Sequence, residues 1–340
     1  MLRSELRIDL GAVRRNVKRL LDVLGGAELW AVVKANGYGH GAVDVGAAAL
    51  SGGASVLCVA TVEEGIELRD EFRQERILVM GPTATNREIA LAREAGLELV
   101  VSTLEIPEGV SVHLKLDTGM GRWGLSELPA RPVNVVGLMS HLATAGSDSA
   151  FAQTQIERFE AETAGYANVI RHIANSAGAL RIPESHLDAA RCGVALYGMS
   201  PFGEPPAVDG LEPVLSWESY VAQVRELAPG QSTGYGRVFV AREPTWIGLV
   251  PVGYADGFRR DLTGTHVHVE GRPCRVVGAV SMDAFAIELD HQVPVGTPVT
   301  VIGHGVLIED HARVADTLNY ELSARINSSP TRARRVVTDA

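Results

Sequence analysis

Aromatic side chains, cysteines and positive charge are all scarce in this sequence of 340 residues. Only 5% of the residues are aromatic, three are cysteines, and 31 Lys and Arg stand against 41 Asp and Glu, a formal net charge of −10. Such an acidic chain lacks the basic surface that attracts nucleic acid or anionic lipid. Three widely spaced cysteines exclude a disulfide framework, so we expect free thiols and a cytoplasmic protein.

Long apolar runs are also missing. No run approaches the roughly 20 residues that cross a bilayer, and the N-terminal segment MLRSELRIDLGAVRRN carries charges where a signal peptide needs its apolar core. Apolar residues are nevertheless abundant, at 46% of the chain, which is enough for two cores. The composition is typical of a metabolic enzyme with a small-molecule substrate, and we expect no nucleic-acid, membrane or metal partner.

Short apolar runs recur eight times before Tyr197, and amphipathic stretches with helical spacing separate several of them. The runs are LWAVVKA, SVLCVAT, RILVMGP, LELVVS, SVHLKLD, VNVVGLMSH, NVIRHIA and RCGVALYG. Continuous apolar strands that alternate with helices predict a parallel sheet covered on its outer face. Eight such units in about two hundred residues favour a closed (β/α)₈ TIM-like barrel over an open doubly wound sheet.

Two connections of this barrel are too short or too rich in Gly and Pro for a full helix. Only residues 103–110 lie between the fourth and fifth strands, and Pro107 falls among them. The segment 118–132 after the fifth strand is rich in Gly and Pro. We therefore predict shortened outer helices, with no full helix in residues 102–111 or 117–133.

A segment dense in Gly and Pro, GMSPFGEPPAVDGLEP at residues 198–213, indicates a domain boundary. After it, alternating and β-branched runs are separated by turn residues, which predicts a mostly β domain. One helix near residues 312–323 is expected to close the chain. The predicted domains are a barrel at residues 1–210 and a C-terminal β-rich domain at residues 211–340.

Lys34 follows the first barrel strand in the sequence WAVVKANGYGHG. The carboxyl ends of barrel strands carry the active site, although a solvated lysine is the commoner interpretation of such a position. The glycines after Lys34 let backbone and a tyrosine hydroxyl approach a ligand. A lysine beside an anion-binding turn indicates a carbonyl cofactor that bears a phosphate.

The motif VVKANGYGHG at residues 32–41 resembles the cofactor-lysine motif of the alanine racemase family, pyridoxal-phosphate enzymes with a barrel and a β domain. Further similar motifs follow in the same order across nearly the whole chain. They are HLKLDTGMGRWG (113–124), SHLATA (140–145), HIANSAGAL (172–180), ARCGVALYG (190–198), GYADGF (253–258), VSMDAF (280–285) and NYEL (319–322). The resemblance implies interconversion of L- and D-alanine by a homodimer with shared active sites.

Two residues would be catalytic if the resemblance holds. Lys34 would carry pyridoxal 5'-phosphate as an aldimine and act as the base on one face of the substrate carbon, and Tyr254 would act on the opposite face. Racemisation needs such a pair. Without the family resemblance, a structural role for Tyr254 would be the preferred interpretation.

Arg191 would donate to the pyridine nitrogen and keep it unprotonated, because a guanidinium does not release its proton. From spacing alone, an ion pair between Arg191 and Asp188 is the simpler interpretation. His141 and His172 would continue a hydrogen-bond chain from Arg191 towards Tyr254, although lone histidines in apolar strands are usually core residues. The other implied cofactor-binding residues are Tyr38, Asn175, Ser176, Gly193 and Val194, and a helix N-cap at Asn175 or Ser176 is compatible with that role.

The implied substrate site contains Arg122, which would pair with the substrate carboxylate. Lys115 would orient Arg122 if carbamylated; the alternative is an unmodified Lys115 that points elsewhere. Met282 and Asp283 would line the pocket, although by themselves they read as a β-turn.

The chain departs from the family at two single positions. Thr331 stands where many members have a tyrosine that reaches the phosphate, and no function is assigned to the unusual Cys192. Two other functions stay open: racemisation of another small amino acid such as serine, and pyridoxal-phosphate binding without turnover. The presence of both Lys34 and Tyr254 disfavours a mere binder, and the GYADG and Arg191 motifs disfavour a related decarboxylase.

Overall fold

The computed structural model describes residues 3–83, 85–129 and 134–340. The chain divides into two compact units: a barrel unit of residues 13–202 and 209–212, and a β-rich unit of the N-terminal residues up to Ala12, Gly203–Val208 and Pro213–Ala340. Strand β1 (Glu5–Asp9) therefore belongs to the β-rich unit. The sequence pattern, in contrast, gave a single boundary between residues 210 and 211.

Eight parallel strands form the barrel unit. They are β2 (Glu28–Val32), β3 (Val56–Val59), β4 (Arg76–Val79), β5 (Glu98–Val101), β6 (Val112–Lys115), β7 (Val135–Met139), β8 (Ile170–His172) and β9 (Ala189–Cys192). Their order is β8-β7-β6-β5-β4-β3-β2-β9. Hydrogen bonds from Asp188 N to Arg171 O (3.1 Å) and from Arg191 N to Ala174 O (3.0 Å) link the two edges, so the barrel is nearly closed, as predicted.

The barrel strands are apolar on almost every residue because one face fills the barrel and the other lies under the outer helices. One apolar cluster includes residues from six of the eight strands: β2 to β5, β7 and β9. Its members are Trp30, Val32, Val56, Cys58, Leu78, Val100, Met139 and Ala189. Polar side chains in these strands therefore stand out against an apolar interior.

The helices along the barrel unit are Leu10–Leu24, Ala42–Gly52, Val62–Glu71, Asn86–Glu94, Ser149–Thr163 and Ser176–Arg181, with short 3₁₀ turns at Pro183–Ser185 and Val194–Tyr197. Thr61 and Thr85 begin two of the helices with capping boxes. Residues 102–111 and the described residues 117–129 contain no helix, as predicted from their length and composition. Residues 130–133 of that prediction lie outside the described chain.

The β-rich unit contains the remaining strands. They are β10 (Leu215–Tyr220), β11 (Gln223–Leu227), β12 (Ser232–Thr233), β13 (Phe239–Val240), β14 (Thr245–Val250), β15 (His266–Val269), β16 (Arg272–Val277), β17 (Phe285–Leu289), β18 (Pro298–Ile302) and β19 (Arg334–Thr338). Nine strands form one sheet in the order β11-β14-β17-β16-β15-β18-β10-β1-β19, and β12 pairs with β13. The pairing of β1 with β19 is parallel and that of β1 with β10 is antiparallel.

The prediction of a single closing helix near residues 312–323 is wrong. Two shorter helices, Ile308–Val314 and Asn319–Ala324, occupy this region, and β19 follows them. The break contains Asp316, whose φ of 47° is left-handed and cannot continue a right-handed helix. No helix in the described part of the chain is long and apolar enough to span a membrane.

Candidate functional site

Lys34 lies two residues after the end of β2 and opens an unusual left-handed turn. The φ angles of Ala35, Asn36, Gly37 and Tyr38 are 53°, 50°, 61° and 52°. A non-glycine residue in this conformation costs about 1–2 kcal/mol. Such strain persists only where the surroundings impose it, and it clusters at functional sites.

Hydrogen bonds from neighbouring elements hold this turn in place. Ala35 N donates to Glu64 Oε1 at 2.7 Å, and Gly37 N donates to Val33 O at 2.8 Å. Glu64 also belongs to the capping box that begins Val62–Glu71. The backbone next to Lys34 is therefore tied to Val33, just after β2, and to the helix Val62–Glu71.

The amine of Lys34 is shifted towards its neutral form. Partial burial, followed by the charge of Arg122, lowers the pKa of Lys34 below its usual value. A neutral amine is the form that attacks a carbonyl group. Lys34 is thus both placed at a strand end and chemically suited to covalent work.

Hydroxyl and backbone donors meet beside the turn. Ser176 Oγ accepts from Gly193 N (3.1 Å) and Ala195 N (3.3 Å). A Cβ atom at Gly193 would lie 2.5 Å from Tyr38 Oη, so the missing side chain gives the tyrosine hydroxyl its room. The ring of Tyr38 packs on Tyr197 with centroids 4.9 Å apart. This corner gathers uncharged donors of the kind that hold a phosphate.

Asn175 supports the same corner. Its Oδ1 accepts from Gly178 N at 3.0 Å and caps the helix Ser176–Arg181, and its Nδ2 donates to Leu142 O at 3.3 Å. Val194 begins the buried 3₁₀ turn that follows β9. The N-cap interpretation of Asn175 is confirmed.

Arg191 lies almost fully buried, with 3% of its surface exposed. Its Nη1 donates to His172 O (2.9 Å) and to His172 Nδ1 (2.6 Å), and its Nη2 donates to Ser140 O (2.7 Å). Longer contacts from Nη2 reach Ile173 O (3.3 Å) and His141 Nδ1 (3.4 Å). None of the hydrogen bonds between Arg191 and the described residues uses Nε.

The simpler interpretation of Arg191, an ion pair with Asp188, is wrong. Asp188 instead accepts from Arg171 N at 2.7 Å and lies 3.7 Å from Arg171 Nε. Burial lowers the pKa of Arg191 to about 10, which leaves the guanidinium charged at neutral pH. The barrel thus holds a cation whose hydrogen-bond partners are carbonyls and imidazoles.

Both histidines beside Arg191 are neutral. Burial, and then the charge of Arg191, lowers the pKa values of His141 and His172 well below the usual histidine value. Since Arg191 can only donate, the nitrogen of each ring that faces it acts as an acceptor.

Lys115 and Arg122 both lie close to one aromatic ring. Lys115 Nζ is 5.7 Å and Arg122 Cζ is 5.2 Å from the ring centroid of Trp123. Burial, and then Arg122, lowers the pKa of Lys115 to about 8. No carboxylate of the described chain forms a salt bridge with Lys115. Three nearby cations, Arg122, Arg191 and Lys34, lower its pKa, and only Asp117 acts in the opposite direction.

Tyr254, Met282 and Asp283 lie together in the β-rich unit. Tyr254 N donates to Ser281 O and Ala255 N donates to Met282 O, both at 3.1 Å. Tyr254 is 42% exposed and Met282 is 50% exposed. The structure therefore brings these three predicted residues onto two adjoining loops.

Contacts of Asp256 and Asp283 fix the backbone of the Tyr254 turn. Asp256 Oδ2 accepts from Gly253 N and from Arg3 Nη2, both at 2.8 Å, and Asp283 pairs with Arg332 at 2.6 Å. The sequence pattern did not identify Asp256 or Arg3 as residues that support the site. Asp256 lies in a turn, and Arg3 lies near the N-terminus.

The predicted site residues thus form two groups. Lys34 and the other barrel residues lie in the barrel unit, and Tyr254 with Met282 and Asp283 lies in the β-rich unit. Thr331 is exposed in the β-rich unit, where its hydroxyl lies 3.0 Å from Ser329 Oγ, and Cys192 is a buried free thiol.

A lysine-bearing parallel barrel with a separate β-rich unit is the architecture of a class of two-domain amino-acid isomerases. Residues 8–201 match the family model "Alanine racemase, N-terminal domain", and residues 214–336 match "Alanine racemase, C-terminal domain". The chain belongs to the alanine racemase family. This membership confirms the resemblance, the fold class and the amino-acid racemase class expected from the sequence.

Individual relatives are similar over almost their full length. An alanine racemase of Symbiobacterium thermophilum is 38% identical, and one of Ligilactobacillus salivarius is 36% identical, each alignment covering 94% of both chains. The crystal structure of alanine racemase from a Streptomyces lavendulae that produces D-cycloserine has a TM-score of 0.92 at 33% identity, covering 100% of this chain and 98% of that chain. For alanine racemase from E. faecalis the TM-score is 0.89 at 35% identity, with 99% and 98% covered.

Proposed function

We propose that the protein interconverts L-alanine and D-alanine in the cytoplasm, as a homodimer that uses pyridoxal 5'-phosphate. The observation that carries this proposal is the pattern of hydrogen bonds made by Arg191. Its Nη groups are engaged by carbonyl oxygens and imidazole nitrogens, while its Nε–H has no partner among the described residues. An N–H that remains available on an otherwise buried guanidinium suits an acceptor with a lone pair, such as an unprotonated pyridine nitrogen.

The other residues of the barrel unit fit the same cofactor. Lys34 supplies an amine of lowered pKa. Tyr38 Oη, Ser176 Oγ and the backbone beside Gly193 would hold the phosphate, with Asn175 and Val194 supporting that corner, and His141 would lie beside the ring. Pyridoxal phosphate, when bound, supplies an electron sink that stabilises negative charge on the substrate α-carbon.

The chain's own residues then divide the work. Lys34 moves a proton at one face of the α-carbon, and Tyr254 moves a proton at the other. Two bases on opposite faces allow the proton to leave on one side and return on the other, which inverts the configuration. Arg191 holds a proton that it does not release, and so leaves the pyridine nitrogen unprotonated.

Substrate binding is assigned to three further residues. Arg122 pairs with the substrate carboxylate, and Met282 and Asp283 line the pocket. Tyr254 and Met282 are exposed in the β-rich unit, which suits residues that complete the partner protomer's site. The proposed homodimer therefore shares its active sites between protomers.

The function is tested by chiral detection of products from a panel of L-amino acids. Alanine should have the highest kcat/KM. A higher value for serine would replace alanine as the substrate, since an apolar pocket discriminates a single hydroxyl or methylene by only about 1–3 kcal/mol. No D-product from any amino acid by the cofactor-loaded protein would contradict racemase function.

The chain offers an unusually clean test of the cofactor lysine, because its only lysines are Lys18, Lys34 and Lys115. The purified protein is expected to be yellow, and borohydride reduction should fix the cofactor covalently to the peptide that contains Lys34. The exposed Lys18 provides the control: Lys18→Ala should be labelled like the wild type, and Lys34→Ala should not. Mass spectrometry that finds the label on Lys115 would contradict the assignment.

Lys115 is expected to carry a carbamate. Its lowered pKa of about 8 leaves about a tenth of the amine neutral at pH 7. A neutral amine adds to CO₂ with release of one proton, which leaves an anion beside Arg122. Protein exchanged into ¹³C-bicarbonate should show one slowly exchanging carbamate signal in the ¹³C spectrum. The signal should persist in Lys18→Ala and vanish in Lys115→Ala; persistence in both variants would show that the site lies elsewhere.

A further inference from the structure

A continuous chain of polar side chains crosses the interior of the barrel. It begins at Arg191, which donates to His172 Nδ1 at 2.6 Å. His172 Nε2 lies 2.8 Å from His113 Nδ1, and His113 Nε2 lies 2.9 Å from Glu98 Oε2. Glu98 also accepts from Arg76 Nε (2.7 Å) and Nη2 (3.0 Å).

This chain joins the two ends of the barrel. Arg76 and Glu98 are the first residues of β4 and β5, whereas His172 is the last residue of β8. Parallel strands begin at one end of a barrel and finish at the other, where the active site lies. Glu98 is therefore on the far side of the barrel from the proposed cofactor site, yet is linked to Arg191 through two side chains.

Arg191 and Glu98, at the two ends of this hydrogen-bond chain, determine which ring nitrogens of His172 and His113 carry the protons. Arg191 can only donate, so His172 Nδ1 must be an acceptor, and the neutral ring must carry its proton on Nε2. That proton points to His113 Nδ1, which must accept it. His113 then carries its own proton on Nε2 and donates to the carboxylate of Glu98. Every donor in the chain meets an acceptor in only one arrangement of protons.

The electrostatics agree with this arrangement. Burial would raise the pKa of Glu98, but hydrogen bonds from His113 and Arg76 lower it to about 2, so the carboxylate is ionised. Burial lowers the pKa of His113, against the opposing influence of Glu98, and the ring stays neutral. Oriented neutral imidazoles can thus connect the anion at one end with the cation at the other.

The surrounding packing is specific to these rings. A Cβ atom at Gly137 would overlap Nδ1 of His113, so glycine is required next to the hydrogen bond between the histidines. Trp30 packs on both rings, with centroids 5.6 Å from His113 and 4.5 Å from His172. A change at Gly137 or Trp30 would displace the histidines that Arg191 relies on.

We propose that Glu98 is a positioning residue for Arg191 and acts through His113 and His172. Glu98 fixes the protonation of His113, which holds His172 with Nδ1 as the acceptor for Arg191 Nη1. Arg191 is thereby kept in the orientation that leaves Nε–H for the cofactor. The inference rests on the proposed function for this last step, but the hydrogen-bond chain can be tested by itself.

The chain is tested first in the unmutated protein, as purified with its cofactor, by ¹⁵N NMR of labelled histidine. His113 and His172, identified from His113→Asn and His172→Asn spectra, should both be neutral and protonated on Nε2 at neutral pH. A proton on Nδ1 of either ring, or a charged ring, would overturn the proposal even if the protein proved to be an active racemase.

The effect on Arg191 is tested with Glu98→Leu, which offers His113 no acceptor. The fraction of turnovers that end in transamination, measured as pyruvate formed from alanine, should rise about 2- to 30-fold relative to racemisation. Glu98→Gln, whose amide oxygen still accepts from His113, should keep a ratio near that of the wild type.

A matched control separates positioning from general damage. Asp188 is also a carboxylate near the start of a barrel strand, but it pairs with Arg171 and not with an imidazole. Asp188→Asn should leave the ratio of products unchanged. An unchanged ratio in Glu98→Leu, or an equal rise in Asp188→Asn, would overturn the proposal. A wild type without racemase activity would instead contradict the proposed function, with the NMR result still deciding the hydrogen-bond chain.

Discussion

Arg191→Glu is expected to lower kcat for racemisation by about two to three orders of magnitude and to increase transamination. Arg191 offers a hydrogen-bond donor that never releases its proton, whereas a glutamic acid can share a proton with the pyridine nitrogen. A protonated ring nitrogen strengthens electron withdrawal, so negative charge persists longer and more protons return to the wrong carbon. Chiral assay and pyruvate detection on the same sample measure both changes.

Two further variants interpret this result. Arg191→Lys keeps the charge but replaces a planar fork of five donors with three donors on a single nitrogen, so it should lose activity with a smaller rise in transamination. Arg171→Gln alters an arginine of β8 that pairs with Asp188 outside the site and should behave like the wild type. If Arg191→Glu leaves the ratio of products unchanged, Arg191 does not govern the ring nitrogen.

The barrel was readily predicted because each strand is a short apolar run with clear ends. The gaps among the outer helices were predicted for a similar reason, since Pro107 and clustered glycines act locally on the backbone. The position of β1 in its sheet could not be predicted from the sequence. Its register pairs Glu5 with Glu218 of β10 and with Arg334 of β19. Local patterns do not carry pairings between residues more than two hundred positions apart.

The polar interior shows the same limit. The ion pair between Arg191 and Asp188 that spacing suggested does not form, because residues three apart along a strand point to opposite faces. Arg191 turns inward, while Asp188 does not. The partners of Arg191 come from two other strands or their ends. Glu98 and His113 did carry a signal: each is a polar residue in a largely buried barrel strand, and buried polar groups require partners.

The left-handed turn after Lys34 could not be predicted from the sequence either. Its sequence, KANGY, contains one glycine, yet four consecutive residues are left-handed, including Asn36 and Tyr38. Propensity alone disfavours this backbone for residues with a Cβ atom. The hydrogen bond from Ala35 N to Glu64 Oε1 helps to impose it, and this is a tertiary contact.

A mixture of two inactive variants is expected to recover activity. Lys34→Ala and Tyr254→Phe homodimers should each lose about 10²–10⁴-fold in activity, because each site lacks one of its two bases. After subunit exchange in equal amounts, about half of the dimers are mixed, and twofold symmetry gives each mixed dimer one intact site and one doubly damaged site. Activity should therefore reach about a quarter of the wild-type value per site.

The pairing of variants decides whether the site is shared. Lys34 and Arg191 both belong to the barrel unit, so a mixture of Lys34→Ala with Arg191→Glu should stay inactive: every barrel carries one defect, whichever protomer supplies Tyr254. If Lys34 and Tyr254 served the same site from one protomer, the mixture of Lys34→Ala with Tyr254→Phe would stay equally inactive. Absence of recovery, with exchange demonstrated by native mass spectrometry, would therefore contradict the shared site and leave Tyr254 acting within its own chain.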